Sequence, residues 1–234
     1  MAQIYDAAII GAGPAGMSAA IEAGKNGYKI ILLEKKARPA IKLSITGKGR
    51  CNITNSADIK EFVEAFRNGK FLYGAFSFFS NSDLISFFEN LGVPCKLERG
   101  GRYFPKSGKA LDIVNALIKE AKKHCEIISD FSVNSVSKND EIFITRSQRG
   151  KEILSKKVII ATGGLSYPST GSTGEGYDFA KLFGHTIKEL SPALIPIELE
   201  SKHLKTLRGL KLKNVEVSVI CGICRSFGIF GDME

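Results

Sequence analysis

The sequence predicts an α/β fold that opens on a β-α-β unit, and three observations carry that prediction. An apolar run from Ile4 to Ile10 ends in Gly11-Ala12-Gly13-Pro14-Ala15-Gly16, and a helix-forming stretch follows at once. A second apolar run, Tyr28 to Leu33, ends in an acid, Glu34. Much later, Lys157 to Ala161 reads as another buried strand and feeds Thr162-Gly163-Gly164. A glycine-rich turn between strand and helix, with an acid about 20 residues on, is the pattern of a Rossmann-like dinucleotide-binding unit.

Each element has a local reason. Pro14 to about Asn26 carries Ala, Met, Ile and Glu, and Gly27 is placed as its C-terminal stop. Glu34 to Ser56, rich in Lys, Gly, Thr and Asn, reads as a loop. Asp58 to Phe66 and Ser82 to Leu91 read as amphipathic helices, with Ser82 as N-cap and Gly92 with Pro94 as terminators of the second. A β-like stretch runs from Cys95 to Phe104, and Leu111 to Lys123 is a further amphipathic helix. Phe131 to Val136 and Glu141 to Thr145, divided by Lys138-Asn139-Asp140, read as a hairpin. Tyr177 to Phe183 is helix-like. Beyond Gly184, Pro192 and Pro196 precede β-like runs at Val215 to Cys221 and Ile223 to Phe230. The expected organisation is a domain over residues 1–190 and the beginning of a β-rich, barrel-like domain over 191–234.

Composition narrows the function classes. The 234 residues are 44% hydrophobic and 24% charged, which allows a buried core and argues against disorder. Five scattered cysteines make no disulfide framework, so reduced thiols and a cytoplasmic location are expected. The glycines from Gly11 to Gly16 break the first apolar run, so neither a signal peptide nor a membrane span is expected there. The net charge of +9 is spread along the chain without a zinc-finger or RNA-recognition signature, so no nucleic-acid partner and no membrane partner are expected. Cys221-Gly222-Ile223-Cys224 has no second ligand pair, so no metal site is expected. The three histidines are isolated, and oligomeric state is left open.

The six-residue glycine motif assigns physical jobs. Gly11 permits the tight turn, Gly13 lets backbone approach a pyrophosphate, and Gly16 allows close helix-strand packing. The helix start offers N–H groups and a positive dipole end to phosphates. Glu34 can accept from both ribose hydroxyls. The motif alone leaves FAD and NAD open. Ala161-Thr162-Gly163-Gly164 tilts the balance to FAD by fold-level analogy, because two-dinucleotide-binding-domain flavoproteins return a late strand beside the first β-α-β unit. Gly171-Ser172-Thr173-Gly174-Glu175-Gly176 is a second glycine-rich turn that opens a helix. Thr46 to Asn55 is a polar loop in which Arg50 can pair with phosphate and Asn52 and Thr54 with flavin edges.

These motifs together resemble the BaiN/RdsA-like, aminoacetone-oxidase-like bacterial family of NAD(P)/FAD-dependent oxidoreductases. The likeness runs through Glu34-Lys35, Gly47 to Asn55, Gly101 to Ser107, Ala161 to Gly174, Gly184-His185-Thr186 and Pro192-Ala193-Leu194, and the loop with Cys51 is its most diagnostic part. The resemblance implies an FAD domain of the two-dinucleotide-binding-domain type, interrupted by a β-barrel-like domain and a smaller helical one. The candidate cofactor-binding residues are then Gly11, Ala12, Gly13, Pro14, Ala15, Gly16, Glu34, Lys35, Arg50, Cys51, Asn52, Thr54, Val133, Thr162, Gly163 and Gly174. Two positions depart from the family pattern: Lys48 stands for a glycine, and Glu175 for an aspartate. Family members continue through the barrel and return to complete the flavin site, so a truncated chain is expected. The implied activity is hydride transfer at FAD, either reduction of an activated C=C bond or amine oxidation, on a small-molecule substrate. NAD(P)H is the candidate reductant. The alternatives are an FAD-binding but catalytically incomplete protein, and a tRNA- or nucleic-acid-associated flavoprotein prompted by the charge alone. No residue is singled out as catalytic acid or base.

Overall fold

The computed structural model describes residues 3–66, 68–192, 212–221 and 224–233. The chain divides into two compact units, Met1–Ile187 and Lys188–Glu234. The first unit contains β1 (Ile4–Tyr5), β2 (Ala7–Ile10), α1 (Pro14–Lys25), β3 (Ile30–Leu33), α2 (Ile41–Gly49), β4 (Thr54–Asn55), α3 (Ile59–Glu64), α4 (Tyr73–Phe78) and α5 (Asn81–Asn90). It continues with β5 (Cys95–Glu98), β6 (Arg102–Pro105), α6 (Ala110–His124), β7 (Glu126–Ile128), β8 (Val133–Asn139), β9 (Ile142–Ser147), β10 (Glu152–Ser155), β11 (Val158–Ile160) and α7 (Glu175–Leu182). In the second unit, β12 (Leu212–Cys221) and β13 (Cys224–Met233) form an antiparallel pair with Cys221 opposite Cys224. Pro196, Ala193, Leu194, His203, Gly222 and Ile223, all used in the sequence reading, lie outside the described residues.

A parallel sheet of order β11-β2-β3-β7 forms the centre. Its two inner strands, β2 and β3, are apolar on both faces because both of their faces are covered. Alternation sorts them: Ala7, Ile9, Ile30 and Leu32 join Met17, Ala20 and Ile21 of α1 and Ile113, Leu117 and Ala121 of α6 in one cluster. Ala8, Ile10, Ile31 and Leu33 face the other way, toward Phe131, Val133, Val136 and Phe179. Across that second face lies a sheet of order β1-β10-β9-β8, antiparallel except for the parallel β1–β10 pair. A small antiparallel sheet, β4-β6-β5, completes the unit.

Four sequence expectations shift. The single strand expected over Ile4 to Ile10 breaks at Asp6 and serves two sheets. Asp6 accepts the Lys29 N–H (2.9 Å) and the Lys156 ammonium (2.7 Å), which fixes the corner. The loop expected from Glu34 to Ser56 contains α2 and β4, because α2 is short, with left-handed backbone at Gly47 and Lys48, and has no apolar periodicity to announce it. Ser80, not Ser82, caps α5: its side chain accepts the Asp83 N–H while the Asp83 carboxylate accepts from the Ser80 backbone. Ser82 lies inside the first turn, where a hydroxyl cannot cap. The short elements α4, β7 and β10 carried no signal of their own, since three to six residues are too few to show a period.

Candidate functional site

The main cleft opens where the parallel sheet changes direction. From β2 the chain steps one way to β3 and β7, while β11 flanks β2 on its other side. Strands that part in this way leave a crevice beyond their carboxyl ends, the usual ligand position in open α/β sheets. The crevice measures about 490 Å³ and is lined by the end of β2, the start of α1, Leu33 to Lys35, Ala40 to Leu43, Phe131, Val133, Ile160 to Gly163 and parts of Thr170 to Phe179.

The three motif glycines do different work. Gly11 has φ +104°, and a Cβ there would lie 2.5 Å from the Ala161 carbonyl oxygen, so it permits both the turn and the approach of the β11 end. A Cβ on Gly16 would lie 1.9 Å from the Gly11 carbonyl oxygen, so α1 can start this close to the turn only with a bare Cα. Around Gly13 nothing lies within 4 Å of the corresponding point, and this bare face borders the cleft. No side chain caps α1, whose first position is Pro14, so first-turn N–H groups and the positive dipole end are available to an anion there.

Glu34 is buried, and both of its oxygens are engaged: Oε2 accepts the Ala12 N–H (3.0 Å) and Oε1 the Lys36 N–H (2.8 Å). The carboxylate therefore ties the glycine turn to the end of β3. An ionised carboxylate has about four acceptor positions, so capacity remains for ribose hydroxyls. Lys35 Nζ reaches across the cleft to Glu175 (2.7 and 2.8 Å) and Thr173 Oγ1 (2.8 Å). Gly163 turns back so tightly that a Cβ on it would lie 2.8 Å from Ser172 Oγ, and Gly176 packs against Thr162 Oγ1 in the same way.

Of the sequence-derived candidates, Gly11, Gly13, Pro14, Ala15, Glu34, Lys35, Val133, Thr162 and Gly163 line this cleft. Ala12 and Gly16 are buried just behind it, and Gly174 caps α7 beside Leu165. The structure does not bring Arg50, Cys51, Asn52 and Thr54 to the same walls. Arg50 bonds Glu98 (2.6 Å) and stacks over Phe104 at 4.2 Å, which commits its guanidinium to the β5–β6 hairpin. Thr54 pairs opposite Tyr103 in the small sheet. Asn52, with its amide oriented by the hydrogen-bond network, donates to the carbonyls of Thr54 (3.1 Å) and Tyr103 (3.3 Å). Cys51 is buried in a left-handed backbone conformation (φ +60°), and that burial pushes its thiol pKa up. Cys51 and Asn52 line a second, aromatic cavity of about 400 Å³ with Phe78, Phe79, Phe87 and Phe88, which shares Pro14 and Leu43 with the first.

Sequence reasoning missed Lys42, Phe131 and Tyr177 as lining residues. Lys42 Nζ extends from α2 toward Ser166 Oγ (3.4 Å). Nothing in the local sequence marks Lys42 out from its neighbouring lysines. The turn Gly171 to Gly176, by contrast, was legible as a glycine-rich helix entry, and Gly171, Ser172, Glu175 and Gly176 do line the cleft. Among the described residues no group of His, Cys, Asp and Glu could hold a metal, and no helix is long and apolar enough to cross a membrane.

Comparison with known proteins agrees with this architecture. The chain is 29% identical over 217 residues to a 3-dehydro-bile acid delta(4,6)-reductase from Clostridium scindens, covering 92% of this chain and 52% of that protein. It is 32% identical to a ribosomal RNA dihydrouridine synthase from Escherichia coli (88% and 51% covered) and 30% identical to one from Haemophilus influenzae (95% and 56%). The chain thus spans about half the length of the curated relatives it matches. Two solved structures share the fold at a TM-score of 0.53. One is a 3-ketosteroid-delta4-(5alpha)-dehydrogenase from Rhodococcus jostii RHA1 (16% identity, 70% of this chain and 46% of that one), the other a flavocytochrome c3 fumarate reductase (19%, 77% and 40%). A Rossmann-type α/β unit with its cleft at the strand switch point, and a family sequence model matching residues 5–231, together show that the chain belongs to the HI0933-like protein Rossmann domain family.

Proposed function

We propose that the chain is the FAD-binding part of a flavin-dependent oxidoreductase that reduces a C=C bond conjugated to a carbonyl, with NAD(P)H as the reductant. The observation that carries this reading is the open space beside Gly13, at the uncapped start of α1 and next to Glu34. That cradle is bare where a pyrophosphate needs backbone contact, and an added Cβ would enter it. Bound FAD supplies hydride transfer at its isoalloxazine. The chain's own residues bind and orient: α1 N–H groups take the pyrophosphate, Glu34 takes ribose hydroxyls, and Lys42 brings a positive charge to the same wall. Residues 1–190 are the proposed FAD domain and 191–234 the start of a β-rich one, in a cytoplasmic protein with reduced thiols.

The choice of C=C reduction over amine oxidation rests on the relatives. One is named as a delta(4,6)-reductase and two as dihydrouridine synthases, and each name describes adding hydrogen across a ring double bond. A second reading, in which that double bond belongs to uracil in RNA, is favoured by the net charge of +9, which suits a polyanion. The test begins with an absorption spectrum of the purified chain and identification of the released cofactor. Reduction by NADH or NADPH without oxygen follows, with a cyclic enone or a uracil-containing RNA as acceptor. Released FAD and acceptor-dependent reoxidation are the expected results. A colourless chain that takes up no added FAD refutes the cofactor assignment.

A further inference from the structure

We propose that Lys35, Thr173 and Glu175 form an electrostatic clasp across the mouth of the cleft, and that its opening sets how fast the cofactor enters and leaves. The inference rests on the cleft being the cofactor site. Lys35 stands at the end of β3 on one bank, beside the ribose-binding Glu34, and Glu175 stands in the first turn of α7 on the other. Both line the cleft, although 140 residues separate them in the chain. The ammonium is bonded to both carboxylate oxygens (2.7 and 2.8 Å) and to the Thr173 hydroxyl (2.8 Å), so its three donors have three acceptors on the far bank.

The rest of the far bank is built to reach this closure. Gly171, at φ +111°, sits directly on the lysine stems: a Cβ there would be 3.5 Å from Lys35 Cε and 3.6 Å from Lys36 Cγ. Lys42 adds a longer contact from the same side to Ser166 (3.4 Å). The backbone bonds of the far bank are short-range, Thr170 N–H to the Tyr167 carbonyl and Gly171 N–H to the Pro168 carbonyl, so they hold its own turns and not the opposite bank. The lysine arms bridge the gap. With side chains 21% and 39% exposed, the Lys35–Glu175 pair is within reach of solvent ions, so salt loosens it. A dinucleotide passing between the banks must part it.

The experiment compares the chain with Glu175→Gln, Lys35→Met and the exchanged pair Lys35→Glu with Glu175→Lys. Hydrogen exchange of residues 163–176 is measured without cofactor, and FAD release is followed by flavin fluorescence at low and high salt. The single variants are expected to exchange faster in this segment and to release FAD about three- to fivefold faster at low salt, as expected for a partly exposed ion pair. Their rates should lose salt dependence, and the exchanged pair should regain both properties. Exchange and release unchanged in the single variants overturn the clasp. Faster exchange in a chain that takes up no FAD leaves the ion-paired closure in place but overturns its role in cofactor exchange, together with the cofactor reading of the cleft.

Discussion

Gly13→Val and Gly16→Ala separate cofactor binding from folding within one motif. At Gly13 the backbone is extended (φ −78°, ψ −178°) and a Cβ meets nothing within 4 Å, so the branch point of a valine sits there without collision. Valine is a poorer helix N-cap than glycine by about 1 kcal/mol. It also restricts the unfolded chain, which offsets about 0.4–1 kcal/mol of that loss. Unfolding of the cofactor-free variant should therefore stay within about 1 kcal/mol of the parent. The same side chain fills the space assigned to pyrophosphate, and FAD affinity should fall by about 100-fold or more, about 2.8 kcal/mol at 1.4 kcal/mol per tenfold. Gly16→Ala has the opposite signature. Its methyl would sit 1.9 Å from the Gly11 carbonyl oxygen, so α1 must shift, at a cost of about 3 kcal/mol before any ligand is added. The assay is a urea titration without cofactor, paired with an FAD titration followed by flavin fluorescence. Stoichiometric FAD in Gly13→Val at parental affinity would refute the placement of the pyrophosphate.

Glu34→Gln should destabilise the cofactor-free chain by about 1–3 kcal/mol, because an amide cannot accept from both Ala12 and Lys36 and sets one NH2 against an N–H donor; an unchanged urea midpoint would show that these two bonds carry no stability. Stability should decline at alkaline pH. Burial pushes the Cys125 thiol from 9.0 to about 11, and burial with the Glu126 partner pushes the Tyr5 hydroxyl from 10.0 to about 12. The folded chain keeps these protons where the unfolded chain has released them, so the contribution is complete below pH 9 and is lost as pH rises through about 9 to 12. A urea midpoint that is flat from pH 8.5 to 11 contradicts this. The Cys51 thiol, raised by burial, should react with a thiol reagent at pH 8 far more slowly in the folded chain than in denaturant, which peptide mapping can follow.

What the sequence showed well was local. The run Ile4 to Glu34 announced strand, turn, helix, strand and acid, because each rests on neighbouring residues: a bare Cα at the turn, a helix stop at Gly27, an unbroken apolar run over Ile30 to Leu33. The return of Ala161 beside that unit was legible through Thr162-Gly163 only by analogy, and its register, Ile160 opposite Ile10, is a tertiary fact. The small-sheet residues show the limit. Arg50, beside glycines in a polar loop, read as a phosphate ligand, but its direction is set by Glu98 and Phe104, which lie some fifty residues later.

By itself, then, the sequence determined that a dinucleotide-type cleft exists here, which turn forms it and which acid stands at its rim, because hydrophobic periodicity and glycine geometry act over a few residues. Only the tertiary structure decided that Lys42 joins Lys35 at that cleft, that Lys35 is held by Glu175 across it, and that Arg50 is committed elsewhere. A long cation's partner is chosen by Coulomb attraction and packing between distant segments, and a local pattern holds no record of which segments fold together.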